Sequence, residues 1–161
     1  MAMTVSEAKD ELFKELAEGK HLRCPVCEQS CKRYKRKITS AMAVALIHIY
    51  RYYRKHAPDD WLHVEEYLKG IQGLPASIRG DFPKLRYWSL IEACEGERPD
   101  GSKRVGYYRI TKYGNAFVEG IISVQKHAYI YNNKLLMFSP DKTTIQEALG
   151  EKFDYTELMK Q

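Results

Sequence analysis

A chain of 161 residues with 26 Lys and Arg, 21 Asp and Glu and a formal charge of +5 can bury a real core, and its 44% hydrophobic content excludes wholesale disorder. The opening MAMTVSEAKDELFKELAEGK is too charged for a secretory signal, and no apolar run approaches a membrane span. The balance favours an anionic partner over a lipid surface, and a reducing cytoplasm in which the four cysteines are thiols or metal ligands rather than disulfides.

Residues 4–19 predict an amphipathic helix. Thr4 and Glu7 have capping-box spacing, Val5, Ala8, Leu12, Phe13 and Leu16 form an apolar stripe, and Gly19 marks the stop. A cysteine-rich segment follows, and then a longer helix from about Ile38 to Lys55. Ile38, Met42, Ala45, Leu46, Ile49 and Tyr53 fall on one face of it, His48, Arg51, Tyr52 and Lys55 mostly on the other, and His48 and His56 are expected in solvent. WLHVEEYLKG begins extended and turns helical, and GLPASIRG is a turn-rich connection.

In DFPKLRYWSLIEAC, Asp81 is an expected N-cap and Pro83 belongs in a first turn. Phe82, Leu85 and Trp88 share a face, and Lys84, Arg86 and Tyr87 point away from it. Leu90–Ala93 and VGYYRI read as strands flanking the polar turn EGERPDGSKR, and TKYGNAFVEGI returns to helical spacing. Farther on, Asn132-Asn133 suits a hairpin turn between two apolar runs, because asparagine tolerates positive φ. Thr144 with Glu147, and Asp154 with Glu157, repeat the capping signal.

The segment HLRCPVCEQSCKRYKRK concentrates the chemistry. Cys24 and Cys27 have the spacing of one zinc knuckle. A structural site needs four ligands, and Cys31 and His21 are the local candidates for the rest, with Cys94 as a distant substitute. Zinc, an iron–sulfur cluster and free thiols all stay open at this point. A metal would tie the loop down and present the cations beside it. Those cations are Lys32, Arg33, Lys35, Arg36 and Lys37 around Tyr34, and no acid occurs between positions 32 and 55. Aromatic residues interleaved with uncompensated cations are the pattern of a phosphate clamp.

No nucleophile elbow, phosphate-cradling glycine loop or H-E-x-x-H motif is present, and the expected role is non-catalytic.

From Ile38 to about Glu119 the chain resembles winged helix-turn-helix DNA-binding domains. The resemblance rests on LRYWSLIE followed by GYYRITKYGNAFVEG, where Arg109, Ile110, Thr111 and Gly114 stand in the R-[IL]-T-x-x-G phrase. Thr111 caps the last helix there and Gly114 permits close packing. The resemblance implies a recognition helix over Asp81–Ser89 that presents Lys84, Arg86 and Tyr87 to duplex DNA. It also implies a wing whose Arg98, Lys103 and Arg104 lie on the backbone or in a minor groove. The whole chain is also similar to uncharacterised bacteriophage-encoded proteins that carry a CPxC knuckle ahead of a basic Y-K-R-K run.

The expected fold is therefore α+β and mainly helical: an N-terminal helix and Cys/basic segment (1–37), a winged-helix domain (38–120) and a hairpin and short-helix appendage (121–161). The expected function is duplex DNA binding in transcriptional or replication regulation, with a homodimer or an appendage contact completing specificity. The alternative is a protein-docking adaptor sensitive to changes at Tyr131 and Leu136.

Overall fold

The computed structural model describes residues 3–56, 60–96, 101 and 105–160. In chain order these form α1 (Val5–Ala17), β1 (Leu22–Arg23), β2 (Ser30–Cys31), β3 (Tyr34–Lys37), α2 (Ser40–His56), β4 (Leu62–His63) and α3 (Val64–Lys69). Two 3-10 segments follow, Ala76–Arg79 and Phe82–Trp88, and then β5 (Ile91–Ala93), β6 (Tyr107–Ile110) and α4 (Lys112–Val118). The chain closes with β7 (Val124–Gln125), β8 (His127–Tyr131), β9 (Lys134–Phe138), β10 (Lys142–Thr143), α5 (Ile145–Leu149) and α6 (Tyr155–Lys160). The class is mixed α+β. No described helix is long and apolar enough to cross a membrane.

Two compact units share this chain: Met1–Lys37 with Gln125–Lys142, and Ile38–Val124 with Thr143–Gln161. The stretch 121–161, grouped as one appendage from sequence, thus divides, its hairpin folding with the N-terminal segment and α5 and α6 with the middle of the chain.

In the first unit the Thr4 hydroxyl accepts the Glu7 N–H while the Glu7 carboxylate accepts the Thr4 N–H, so the expected capping box starts α1. Gly19 takes φ +91° just beyond its end, a conformation that favours glycine. Ala8, Leu12 and Leu16 are buried, and Leu22, Leu136 and Tyr131 pack around Leu12 and Leu16. Val5, expected in the stripe, is 69% exposed because it occupies the first turn, ahead of the packed stretch. Asn132 and Asn133 take φ +50° and +60°, the mirror-image turn that matches the twist of β8 and β9. β8 is the middle strand of a three-stranded antiparallel sheet, ordered β3-β8-β9.

The second unit is built around α2, against which α3, α4, α5, α6, β6 and both 3-10 segments pack. All nine residues from Met42 to Tyr50 are buried, whereas a half-exposed helix was expected. Neighbours on every side turn the supposed outer face into core. His48, expected in solvent, is 4% exposed, while His56 is exposed as expected. Burial first, and then the Arg51 charge, hold the His48 imidazole below its ordinary value of 6.5. The unfolded chain therefore takes up that proton before the folded one as pH falls. Stability carried by neutral His48 is complete above about pH 6.5 and is lost progressively below it. Denaturant unfolding at about pH 7.5 and about pH 5.5 should show this loss in the wild type and a smaller one in His48→Leu. An identical pH dependence in the variant would assign the loss to other groups.

The segment Phe82–Trp88 is 3-10 rather than α-helical. Three residues per turn stack Phe82, Leu85 and Trp88 directly above one another, and all three are buried. Asp81 does not cap it. Its backbone is in the helical region, and its carboxylate instead holds Lys84 Nζ at 2.9 Å. Thr111 does cap α4, its hydroxyl accepting the Gly114 N–H at 3.0 Å. The three-stranded sheet of this unit runs in the order β4-β6-β5. Arg109 pairs with Glu92 across β6 and β5 and lies 4.3 Å from the Trp61 ring centroid.

Candidate nucleic-acid interface and cysteine knuckle

The basic run folds as a strand, not as part of a loop. β3 is one of the two outer strands of its sheet, with Tyr34 opposite Ile130 and Lys37 opposite His127, and its four residues are all exposed. Nothing in YKRK alternates between apolar and polar, so the usual strand signal is missing. Its hydrogen-bond partners lie in β8, ninety or more residues later in the chain.

Alternation along β3 distributes the cations to both faces of the sheet. On one face Tyr34 is flanked by Lys32, with Nζ 5.8 Å from the ring centroid, and by Arg36 at 5.4 Å. On the other, Lys35 Nζ lies 6.0 Å from the Tyr129 ring. Among the described residues Lys32, Lys35, Arg36 and Lys37 enter no ion pair. No direct ion pair among the described residues therefore cancels their charge, and in water their field extends over roughly a Debye length of 8–10 Å.

Arg33 differs from its neighbours. Its Nη1 donates to the Ala17 carbonyl at 2.9 Å, and its guanidinium lies 3.9 Å from the Tyr129 centroid. Ala17 closes α1, so this cation satisfies one of the terminal carbonyls and meets the negative end of the helix. Its first role is structural, which its place in a run of cations could not reveal.

Of the positions assigned to a recognition helix, Arg86 is exposed and Tyr87 half-buried, with the Arg86 guanidinium 5.4 Å from the Tyr87 ring. Lys84 is engaged by Asp81. Arg98, Lys103 and Arg104 of the expected wing lie outside the described residues.

Between β1 and β2 the chain makes a tight knuckle. Cys24 N–H donates to the Gln29 carbonyl at 2.8 Å and Glu28 N–H to the Cys24 carbonyl at 2.9 Å, with Glu28 at φ +64°. The backbone N–H of Cys27 and that of Val26, the latter at 3.4 Å, are directed at Cys24 Sγ and hold its thiol below the ordinary range. Cys27 is exposed. Cys31 is buried against Leu12 and Leu16, and its sulfur accepts the Tyr131 hydroxyl at 3.1 Å. That bond, with burial second, pushes Tyr131 up to about 12.

His21 is placed apart from these thiols. Its Nε2 lies 2.5 Å from Ser30 Oγ, and neighbouring Ser30 and Cys31 face opposite sides of the hairpin. Cys94 belongs to the second unit, where its N–H donates to the Tyr107 carbonyl just past β5. Among the described residues no group of three or more His, Cys, Asp or Glu is gathered to hold a metal ion. Tyr131 and Leu136, expected as docking anchors, pack inside the first unit. No protein-family model, curated protein or solved structure matches this chain.

Proposed function

We propose that the chain is a non-catalytic, cytoplasmic duplex-DNA-binding protein, a transcriptional or replication regulator of phage or mobile-element type. One observation carries this reading: the exposed outer strand β3, with three cations among four residues and a fourth beside it, none in an ion pair among the described residues. Charged outer strands, lysine above all, also deter sheets from pairing edge to edge. A single-sign cluster around an aromatic ring suits a phosphate backbone as well.

The element order of the second unit and its β4-β6-β5 sheet support reading it as a winged helix-turn-helix. In this reading Phe82–Trp88 takes the place of the recognition helix and offers Arg86 and Tyr87. A module of this size contacts few base pairs, so the proposal includes a second copy on a neighbouring half-site.

A salt titration of binding to random-sequence duplex tests this function. Log affinity should fall against log salt with a slope of about −0.9 for each phosphate neutralised. A flat response would overturn the reading and favour docking onto a protein, for which Leu135 and Met137 on β9 are the exposed apolar contacts.

Within the same proposal Cys24, Cys27, Cys31 and His21 ligate a structural zinc ion, which requires the hairpin to rearrange as the metal binds, because these four are not gathered in the described structure. The N–H groups directed at Cys24 and the Tyr131 hydroxyl on Cys31 are donors of the kind that steady zinc-bound thiolates. Mass spectrometry of untagged protein should find about one zinc per chain. A stoichiometry near zero would remove the metal and leave a packing role to buried Cys31 and, in part, to Cys24, but none to the exposed Cys27.

A further inference from the structure

The C-terminal end of α2 lines a groove that none of the chemistry above uses. Its volume is about 630 Å³, within the range of small-molecule sites. Arg51, Arg54, Lys55 and His56 come from the last turns of α2, Tyr67 from α3 and Met159 from α6, all within the second unit. Tyr52 stands among them, its ring 4.7 Å from His56 and 5.0 Å from Tyr67. Tyr52 and Tyr67 are half-buried, so part of each ring stays accessible.

Among the described residues no carboxylate lines the groove itself, although Glu119 hydrogen-bonds the lining Tyr50, and none pairs with Arg51, Arg54 or Lys55. Cations at a helix C-terminus complement its dipole, but that end carries only about half a negative charge. The three permanent charges here exceed it several-fold. The excess positive charge and the aromatic faces together match two chemistries in one ligand, an anionic group and a flat ring.

We infer that this groove binds a nucleoside phosphate, with Arg51, Arg54 and Lys55 on the phosphate and Tyr52 and Tyr67 against the base. The ligand arrives either as a free nucleotide or as the phosphorylated end of a DNA strand, and both present the same chemistry. The groove shares no residue with β3, so it stands or falls apart from the duplex-binding reading.

Calorimetric titration of the full chain with dAMP, deoxyadenosine and inorganic phosphate, at fixed ionic strength, tests the inference. dAMP should bind at least about tenfold more tightly than either fragment. Arg54→Gln with Lys55→Gln should weaken dAMP binding by about tenfold or more without altering the unfolding midpoint. Tyr52→Leu should weaken dAMP while leaving phosphate unchanged. The variant Lys35→Gln, Arg36→Gln, Lys37→Gln should bind dAMP as the wild type does, whatever happens to duplex affinity. Single strands with a 5′-phosphate or a 5′-hydroxyl separate the two sources. A preference for the phosphate assigns the groove to strand ends, and equal binding assigns it to free nucleotide. Affinity for dAMP no better than for phosphate, or insensitive to the Arg54 and Lys55 exchange, would overturn the inference.

Discussion

Exchanging Lys35, Arg36 and Lys37 together for glutamine is expected to lower duplex-DNA affinity by about a hundredfold near 0.15 M salt. Each cation that neutralises a phosphate releases counterions, so losing three should flatten the log–log salt slope by about 2.7. Between physiological and roughly 1 M salt that change in slope amounts to about two decades, and variant and wild type should converge at the high-salt end. The three side chains are exposed and enter no ion pair among the described residues, so stability should shift by no more than about 0.5 kcal/mol at each position. A variant that keeps the wild-type slope would remove β3 from the interface. Arg33 is a poor substitute for this test, because losing its bond to Ala17 would disturb α1 along with any phosphate contact.

Gly114→Ala is expected to destabilise the second unit by about 3 kcal/mol or more, with a fall in unfolding midpoint on the order of 15 °C. A β-carbon at this position would lie 2.2 Å from the Leu90 carbonyl oxygen and 2.6 Å from Ile110 Cγ1. The Leu90 carbonyl cannot easily retreat, because it accepts the Thr111 N–H at 3.1 Å where α4 begins. Alanine's better helix propensity returns only about 1 kcal/mol. Gly70→Ala is the matched control: its added carbon would make ordinary contact at 3.5 Å, and its φ is negative. Denaturant midpoints of the two variants measure the difference. Equal midpoints would mean that α4 does not pack on the Leu90 backbone.

Signals that act within four residues were legible in the chain itself. Thr4 with Glu7, Thr111, Thr144 with Glu147 and Asp154 with Glu157 all cap the helices they were expected to cap. The Asn132-Asn133 turn was equally readable, because it follows from the conformational limits of two residues, whereas the tight packing of Gly114 was an expectation that came with the resemblance. Asp81 shows the limit of such signals. Its capping role was displaced by an ion pair with Lys84, and the segment after it wound as a 3-10 turn whose three-residue spacing also suited an α-helix.

Sequence alone determined the mixed α+β class, the cation run without acids and the paired cysteines of a knuckle, since composition and short spacing do not depend on what packs nearby. Tertiary structure decided what each of these does. β8 made the cation run an outer strand, the close of α1 took Arg33 out of that run, and packing around α2 converted His48 from a surface group to a buried one. The hairpin sent Cys31 inward and His21 to the other face, and the folding of α2, α3 and α6 gathered a cation-lined groove. These outcomes depend on partners tens of residues away, and hydrophobic periodicity records which face of an element is apolar but not which neighbour will cover it.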